Sequence, residues 1–284
     1  MRVVEVPQLE AAYDKVGVYN QDAINGFSEH MLSYMLDLVN LSQASHILDA
    51  MAGNGNLTLR LYDYCIHHRF TLPQVVLMEL SQVQCGFART QLVPTPAKVI
   101  WGDVLTMEDY ESGESLPDEF FDRVMIKSGS HEVPLEKQLD LYRSIFRVLK
   151  PGGLFVNLGF LFDDIEERDQ FREITRIKDR LAGLYSAVEN RHFLTREELY
   201  TRLQQAGFMD IRCGMHVPYT IRTLVGVQAY FPEHEWEWVH AELQAQQAKA
   251  MALRRRGRIH FHGDSSTMLC PGEITVARRP TALS

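Results

Sequence analysis

A series of short apolar runs, each closing on an acid or a tight loop and followed by a helical pattern, limits this chain more than any other feature. The runs are His46-Ile47-Leu48-Asp49, Gln74–Glu79, Val99–Ile100–Trp101 ending at Gly102-Asp103, Phe121–Ile126 and Leu154–Leu158. Between the fourth and fifth, Leu135, Leu139, Tyr142, Phe146 and Leu149 recur at helical spacing and stop at Lys150-Pro151-Gly152-Gly153. Strands alternating with helices at this spacing require crossover connections and a mostly parallel sheet. The fold class expected is therefore α/β, a doubly wound sheet covered on both faces. Ligands in such sheets bind beyond the carboxyl ends of the strands, at the point where strand order reverses. The loops after Asp49, Glu79, Asp103 and Ile126 all sit there, so they should line one crevice.

On either side of this alternation the pattern differs. Ile24, Phe27, Met31, Met35 and Leu38 form one face of a leading helix. Past Gly159, Phe171, Ile174, Ile177, Leu181 and Leu184 mark a helix outside the alternation. Thr195-Arg196-Glu197-Glu198 has the form of a capping box, and its helix should run to Ala206-Gly207. A strand over Phe208–Val217, one long helix over Glu233–Arg256, and strands at Arg258–His262 and Glu273–Ala277 complete the chain. No linker or repeat divides the 284 residues, which read as one domain.

Composition excludes several classes. At 45% hydrophobic and 23% charged, the chain is neither disordered nor fibrous. A net charge of −8 argues against a nucleic-acid backbone as partner, because that affinity rests on Lys and Arg. Cys65, Cys85, Cys213 and Cys270 form no CxxC pair, and no apolar run approaches the ~20 residues that span a bilayer. A reduced, cytoplasmic protein without a membrane span is expected. A homodimer is one assembly the sequence allows.

Gly53 and Gly55 let the backbone approach a ligand closely, and the helix that follows offers unpaired N–H groups to an anion. A dinucleotide fingerprint needs a third glycine where Thr58 stands, and there is no Gly-Lys-Ser/Thr ending for a nucleoside triphosphate. An oxidoreductase shares the sheet but lacks this support. The loop suits an adenosine-type ligand with a small anion. Glu79 can accept both ribose hydroxyls, and Asp103 can accept from an adenine amino group.

With these residues in hand, the chain resembles the class I S-adenosylmethionine-dependent methyltransferases. The resemblance runs through LDAMAGNGNLT, LMELS, WGDVLTM, FDRVMIKSGSHEV and VLKPGG in family order, over roughly residues 20–216. It implies a seven-stranded Rossmann-like sheet and S-adenosyl-L-methionine as cofactor. By that resemblance Asp49, Ala50, Met51 and Gly53, with Asn54 and Gly55, surround the methionine part; Glu79 holds the ribose; Leu80 stacks on adenine; Asp103 and Val104 fix its edge; Ile126 and Lys127 approach through backbone. Met51 departs from the family, standing where its first loop glycine belongs. No metal is implied.

Methyl transfer needs a nucleophile held in line with the S–CH3 bond, and a base only if that nucleophile carries a proton. His131 matches a histidine common after the fourth strand in small-molecule members and is expected to face the crevice; Glu132 beside it could orient or act as base. Tyr13 and Tyr19 resemble a family lid, assigned to residues 1–30, in which a tyrosine closes over cofactor and substrate. The dense basic run Arg254, Arg255, Arg256 and Arg258 could clamp a substrate carboxylate or phosphate. His260, His262 and Asp264 lack the fourth ligand of a metal site. Two insertions, 160–200 and 217–266, are expected to cap the crevice and favour a small acceptor. Oxygen is the expected atom, with nitrogen or carbon open. The alternatives are carbon methylation of a prenyl diphosphate, motivated by the arginine run, and a non-catalytic cofactor-binding relative, motivated by Met51.

Overall fold

The parallel strands are buried on both faces, which is why they read as unbroken apolar runs. In the computed structural model, which describes residues 29–181, 185–222, 236–262 and 265–281, they are β1 (His46–Ala50), β2 (Gln74–Glu79), β3 (Lys98–Asp103), β5 (Phe121–Lys127) and β6 (Leu149–Phe162). β4 (Glu108–Asp109) is a two-residue ribbon beside β3. The proposed lid residues Tyr13 and Tyr19 lie outside the described residues.

Two strands close the sheet from the C-terminal side. β10 (Ser265–Arg278) runs antiparallel to β6, and β8 (Met209–Arg222) antiparallel to β10. The long strands follow the order β3-β2-β1-β5-β6-β10-β8. This is the doubly wound, mostly parallel, seven-strand arrangement of the methyltransferase fold. β4, β7 (Leu194–Thr195) and β9 (Ile259–His262) raise the described sheet to ten strands.

Helices cover both faces. α1 (Glu29–Val39), α2 (Asn56–His68) and α3 (Gln82–Gln91) bury Leu36, Leu61 and Ala88 against Ile47, Val75 and Leu77. On the other face α4 (Gln138–Val148) and α7 (Arg196–Gln205) bury Leu141, Ile145, Leu199 and Leu203 against Leu48, Val124 and Phe155. Between β6 and β7 stand the cap helices α5 (Ile165–Leu181) and α6 (Tyr185–Asn190).

Two expectations about elements change. The fifth parallel strand starts at Leu149, ahead of the expected Leu154. Phe121 pairs with Leu149 while Arg123 already pairs with Leu154, so Lys150-Pro151-Gly152-Gly153 bulges out of the ladder without ending it. Gly152, at φ 81°, supplies the left-handed residue this bulge requires. The expected helix 233–256 is two helices, α8 (Trp236–Lys249) and α9 (Met251–Arg255), parted at Ala250 with ψ 75°. The break leaves the first amides of α9 without helical partners, and Gln170 Oε1 on α5 accepts them, from Ala252 N at 2.9 Å and Leu253 N at 3.3 Å. Among the described residues no helix is long and apolar enough to cross a membrane.

The capping box is present. Thr195 Oγ1 accepts from Glu198 N at 3.2 Å, and Glu198 Oε2 accepts from Thr195 N at 2.8 Å. Because Thr195 is buried, Thr195→Ala is expected to lower unfolding free energy by about 1 kcal/mol, read as an earlier urea midpoint at unchanged slope.

Candidate active site

Strand order reverses between β2, on one side of β1, and β5, on the other. A cavity of about 190 Å³ opens there, walled by the loops after β1, β2, β3 and β5. Of the residues the sequence singled out, Asp49, Met51, Gly53, Asn54, Glu79, Leu80, Asp103, Val104, Lys127 and Glu132 line it. Ala50 and Ile126 are fully buried strand residues outside the lining. Gly55 also stands behind the wall. Its φ is 84°, and a Cβ there would meet Leu92, Leu77 and Ala88 at 3.0–3.3 Å, so it is a packing glycine that lets α2 start close to the sheet. The sequence reading missed Ser128, Gly129, Val133, Pro134 and Lys137, which complete the wall after β5. They carry no acid or glycine pattern that marks them in advance.

Glu79 organises two loops at once. Its Oε2 accepts Gly53 N at 2.8 Å and its Oε1 accepts Ser81 N at 2.9 Å. A carboxylate oxygen can accept more than one hydrogen bond, the property that two vicinal hydroxyls call for. Asp49 is held by Thr58, whose Oγ1 donates at 2.7 Å, so the residue that breaks the dinucleotide fingerprint supports the acid of β1. Burial pushes the Asp49 carboxyl up to about 6, against the Thr58 hydrogen bond and the charge of Lys127. Asp103 is also raised by burial, and its Oδ1 accepts Leu105 N at 2.8 Å.

Met51 adopts the conformation of the glycine it replaces, with φ 59°. A non-glycine residue there costs about 1–2 kcal/mol. The side chain it adds is accommodated across the crevice: a Cβ at position 129 would fall 2.8 Å from Met51 Cβ and 2.9 Å from its Sδ. Gly129 leaves the room that Met51 fills.

The pair His131–Glu132 departs from expectation in orientation. Glu132 lines the cavity, whereas His131 lies behind it, its ring stacked on Phe193 at 5.1 Å and edge-on to Phe160 at 5.5 Å. His131 Nε2 is 3.1 Å from Glu132 Oε1, which also receives Arg191 Nε at 3.0 Å. Burial works against the charge of Glu132, but Arg191 and His131 outweigh it and hold the carboxyl well below its usual range. Glu132 thus sits between Arg191 and His131, a geometry that suits the orienting one of the roles expected of it. Since an ionised carboxylate only accepts, a neutral His131 carries its proton on Nε2. Its Nδ1 is buried and unpartnered among the described residues.

The arginine run is a further correction. Arg255 pairs with Glu166 at 3.3 Å, Arg256 with Asp164 and Glu167 at 3.6 Å, and Arg258 with Glu167 at 3.3 Å, while Arg254 donates to Ala248 O at 2.9 Å. None of them lines the cavity. Acids at the start of α5 neutralise the run, and the sequence could not show that pairing across about ninety residues. Of His260, His262 and Asp264, for which no metal site is expected, the side chains of His262 and Asp264 lie outside the described residues. Cys213, His216 and Glu273 do converge, but Glu273 already accepts from Arg196 at 2.6 Å and from Tyr200 and Thr275 at 2.8 Å. The guanidinium takes the place a cation would need.

Comparison with known proteins agrees with this geometry. Residues 47–153 match a family described as "Methyltransferase domain". The ubiquinone/menaquinone biosynthesis C-methyltransferase UbiE of Yersinia enterocolitica is 30% identical over 189 residues, 63% of this chain and 72% of the relative. For the Yersinia pestis protein of the same name the match is 30% over 127 residues, and the chain spans only about half (47%) of that relative. The YcgJ protein of Bacillus subtilis superposes with TM-score 0.70 at 13% identity, covering 90% of this chain and 100% of that one. Haemonchus contortus phosphoethanolamine N-methyltransferase 2, solved with phosphomonomethylethanolamine and S-adenosylhomocysteine, gives 0.60 at 13%, covering 98% of this chain and 61% of that one.

Two outcomes are expected. Glu79→Ala weakens binding of S-adenosylhomocysteine tenfold or more by calorimetry, the loss of charged hydrogen bonds of about 1.5–3 kcal/mol. For Asp49, a carboxyl raised from 3.8 to about 6 takes its proton in the folded state first, so its contribution to stability grows as pH falls through that window. Asp49→Asn, neutral throughout, should therefore exceed wild type in stability more at pH 7 than at pH 5, as measured by urea unfolding of the ligand-free chain.

Proposed function

The chain belongs to the class I S-adenosylmethionine-dependent methyltransferases, and from that premise we propose that it methylates a small acceptor whose hydroxyl proton is taken by His131. S-adenosylmethionine is the cofactor and supplies an electrophilic methyl group. The donor set of the cavity fits it, with carboxylates where hydroxyl and amino donors arrive and backbone amides from the loop after β1. In this reading Glu79 accepts the ribose hydroxyls, Leu80 covers the adenine face, and Asp103 with Val104 meets its edge. Asp49, Met51 and Gly53 enclose the methionine end, with Lys127 beside Asp49.

The observation that carries the base is the buried chain Arg191–Glu132–His131. Arg191 keeps Glu132 ionised, Glu132 fixes the proton on Nε2, and Nδ1 is left with a lone pair and no donor among the described residues. A base oriented by a carboxylate suits a protic nucleophile. Phe160 and Phe193 give its surroundings the apolar character that an aromatic or enolic acceptor would match. Oxygen is the first reading. Carbon is the second, favoured by the printed activity of the UbiE relatives, since removing a phenolic proton also raises the nucleophilicity of the adjoining ring carbon. The prenyl diphosphate reading loses the arginine run that motivated it. Gly129 likewise removes the motive for a non-catalytic reading, because Met51 is accommodated. The reading without a nucleic-acid partner rests on the net charge of −8, and that of a cytoplasmic setting on four cysteines without a CxxC pair.

The test is turnover on a panel of hydroxylated and phenolic acceptors with isotopically labelled S-adenosylmethionine. The position of the new methyl resonance separates O–CH3 from C–CH3. In His131→Gln, kcat should fall about 10²–10⁴-fold while S-adenosylhomocysteine binds as in wild type. Wild-type kcat in that variant would remove the base from the scheme.

A further inference from the structure

A weakly compensated arginine pair sits on α5, away from the basic run at Arg254–Arg258. Arg172 and Arg176 are one helical turn apart, so they share a face. Both are partly buried, and the Nε atom of each is buried without a hydrogen-bond partner. Arg172 makes no ion pair among the described residues; its Nη2 lies 3.2 Å from His192 Nε2. Arg176 has one, to the exposed Glu173 at 3.8 Å, beyond hydrogen-bond reach. The nearby acids are committed elsewhere: Asp169 to Arg168 at 2.8 Å, and buried Asp179 to Arg191 and, at 2.8 Å, to Lys178. Burial and the neighbouring Arg176 lower the proton affinity of Arg172, burial with Arg172 lowers that of His192, and an imidazole offers no negative charge in either state.

Two half-buried guanidiniums that share a single 3.8 Å ion pair among the described residues are costly unless an anion joins them. Their location says which anion. His192 N donates to His131 O at 2.8 Å, and Gln138 Nε2 donates to both His192 O and Val133 O at 3.1 Å. Arg172 thus reaches His131 through a single residue, and Val133 lines the cofactor cavity.

We infer that Arg172 and Arg176 bind an oxyanion of the methyl acceptor, a carboxylate or phosphate, and so hold its hydroxyl toward His131. The inference rests on the reading of His131 as the base at the acceptor side. Planar guanidinium forks accept such groups in a bidentate manner, which a lone ammonium cannot do. The acceptor is accordingly a small hydroxylated anion.

The experiment is calorimetric titration of the full chain, loaded with S-adenosylhomocysteine, using inorganic pyrophosphate and, separately, succinate. Wild type should bind at least one of them saturably. Pyrophosphate alone indicates a phosphorylated acceptor, and succinate alone a carboxylated one. The double variant Arg172→Ala/Arg176→Ala should lose affinity tenfold or more, while Arg254→Ala/Arg255→Ala retains it. Unchanged S-adenosylhomocysteine affinity in the first variant reports that it folds; should it not, Arg172→Lys/Arg176→Lys keeps the charge without the fork and should still weaken binding severalfold. No binding by wild type, or wild-type affinity in the arginine variants, overturns the inference. Because the titration involves no turnover, a failed His131→Gln test leaves its result independent.

Discussion

Both oxygens of Glu79 accept a backbone N–H, one from the loop after β1 and one from the loop after its own strand. This single carboxylate decides where two walls of the crevice stand relative to each other. A parallel sheet brings neighbouring loops together at its carboxyl edge but does not fix their separation. Glu79 fixes it with charge-assisted bonds that cost no backbone strain, since the loop amides at a helix start need acceptors in any case. Asp49 and Asp103 repeat the device within their own connections, Asp49 holding the start of α2 through Thr58 and Asp103 its own loop through Leu105 N.

The sheet and the acid constellation were legible because they depend on local, periodic signals. Buried parallel strands show as short apolar runs, and an acid at a strand end is visible in one dimension. Thr195 and Glu198 announced a helix start for the same reason. What failed needed long-range pairing. Arg255, Arg256 and Arg258 read as an isolated cationic run, yet their partners Asp164, Glu166 and Glu167 lie at the head of another helix. Arg172 and Arg176 are interleaved with acids along α5 and carry no local signal; the pairing of Asp169 with Arg168 and of Asp179 with Arg191 is what sets them apart. Length, too, misled: the pattern for one helix over 233–256 continues through Ala250, where the chain turns to meet Gln170.

The cap is bound to the sheet by the packing of Phe171 on Phe160, Phe162 and Phe193, and also by charge. Arg191 bridges Glu132, beside the cavity, to Asp179 on α5, and Arg168 and Arg196 tie the same region to Glu198 and Glu273. Buried ion pairs of this kind contribute little net stability compared with apolar packing of equal volume, but breaking one partner is expensive. They therefore specify one placement of the cap over the loop after β5 more than they strengthen it.

Met51 and Gly129 share one volume across the crevice, and this makes their substitution history path-dependent. A side chain arising at 129 first would collide with Met51 and be lost, whereas a glycine arising first at 51 vacates the space and relieves a left-handed residue. From that background a small side chain at 129 becomes tolerable, and it then bars the return of methionine. The two positions thus act as a ratchet. A chain of this lineage that carries glycine at 51 has no reason to keep it at 129, and the effects of the two changes on the crevice will not add.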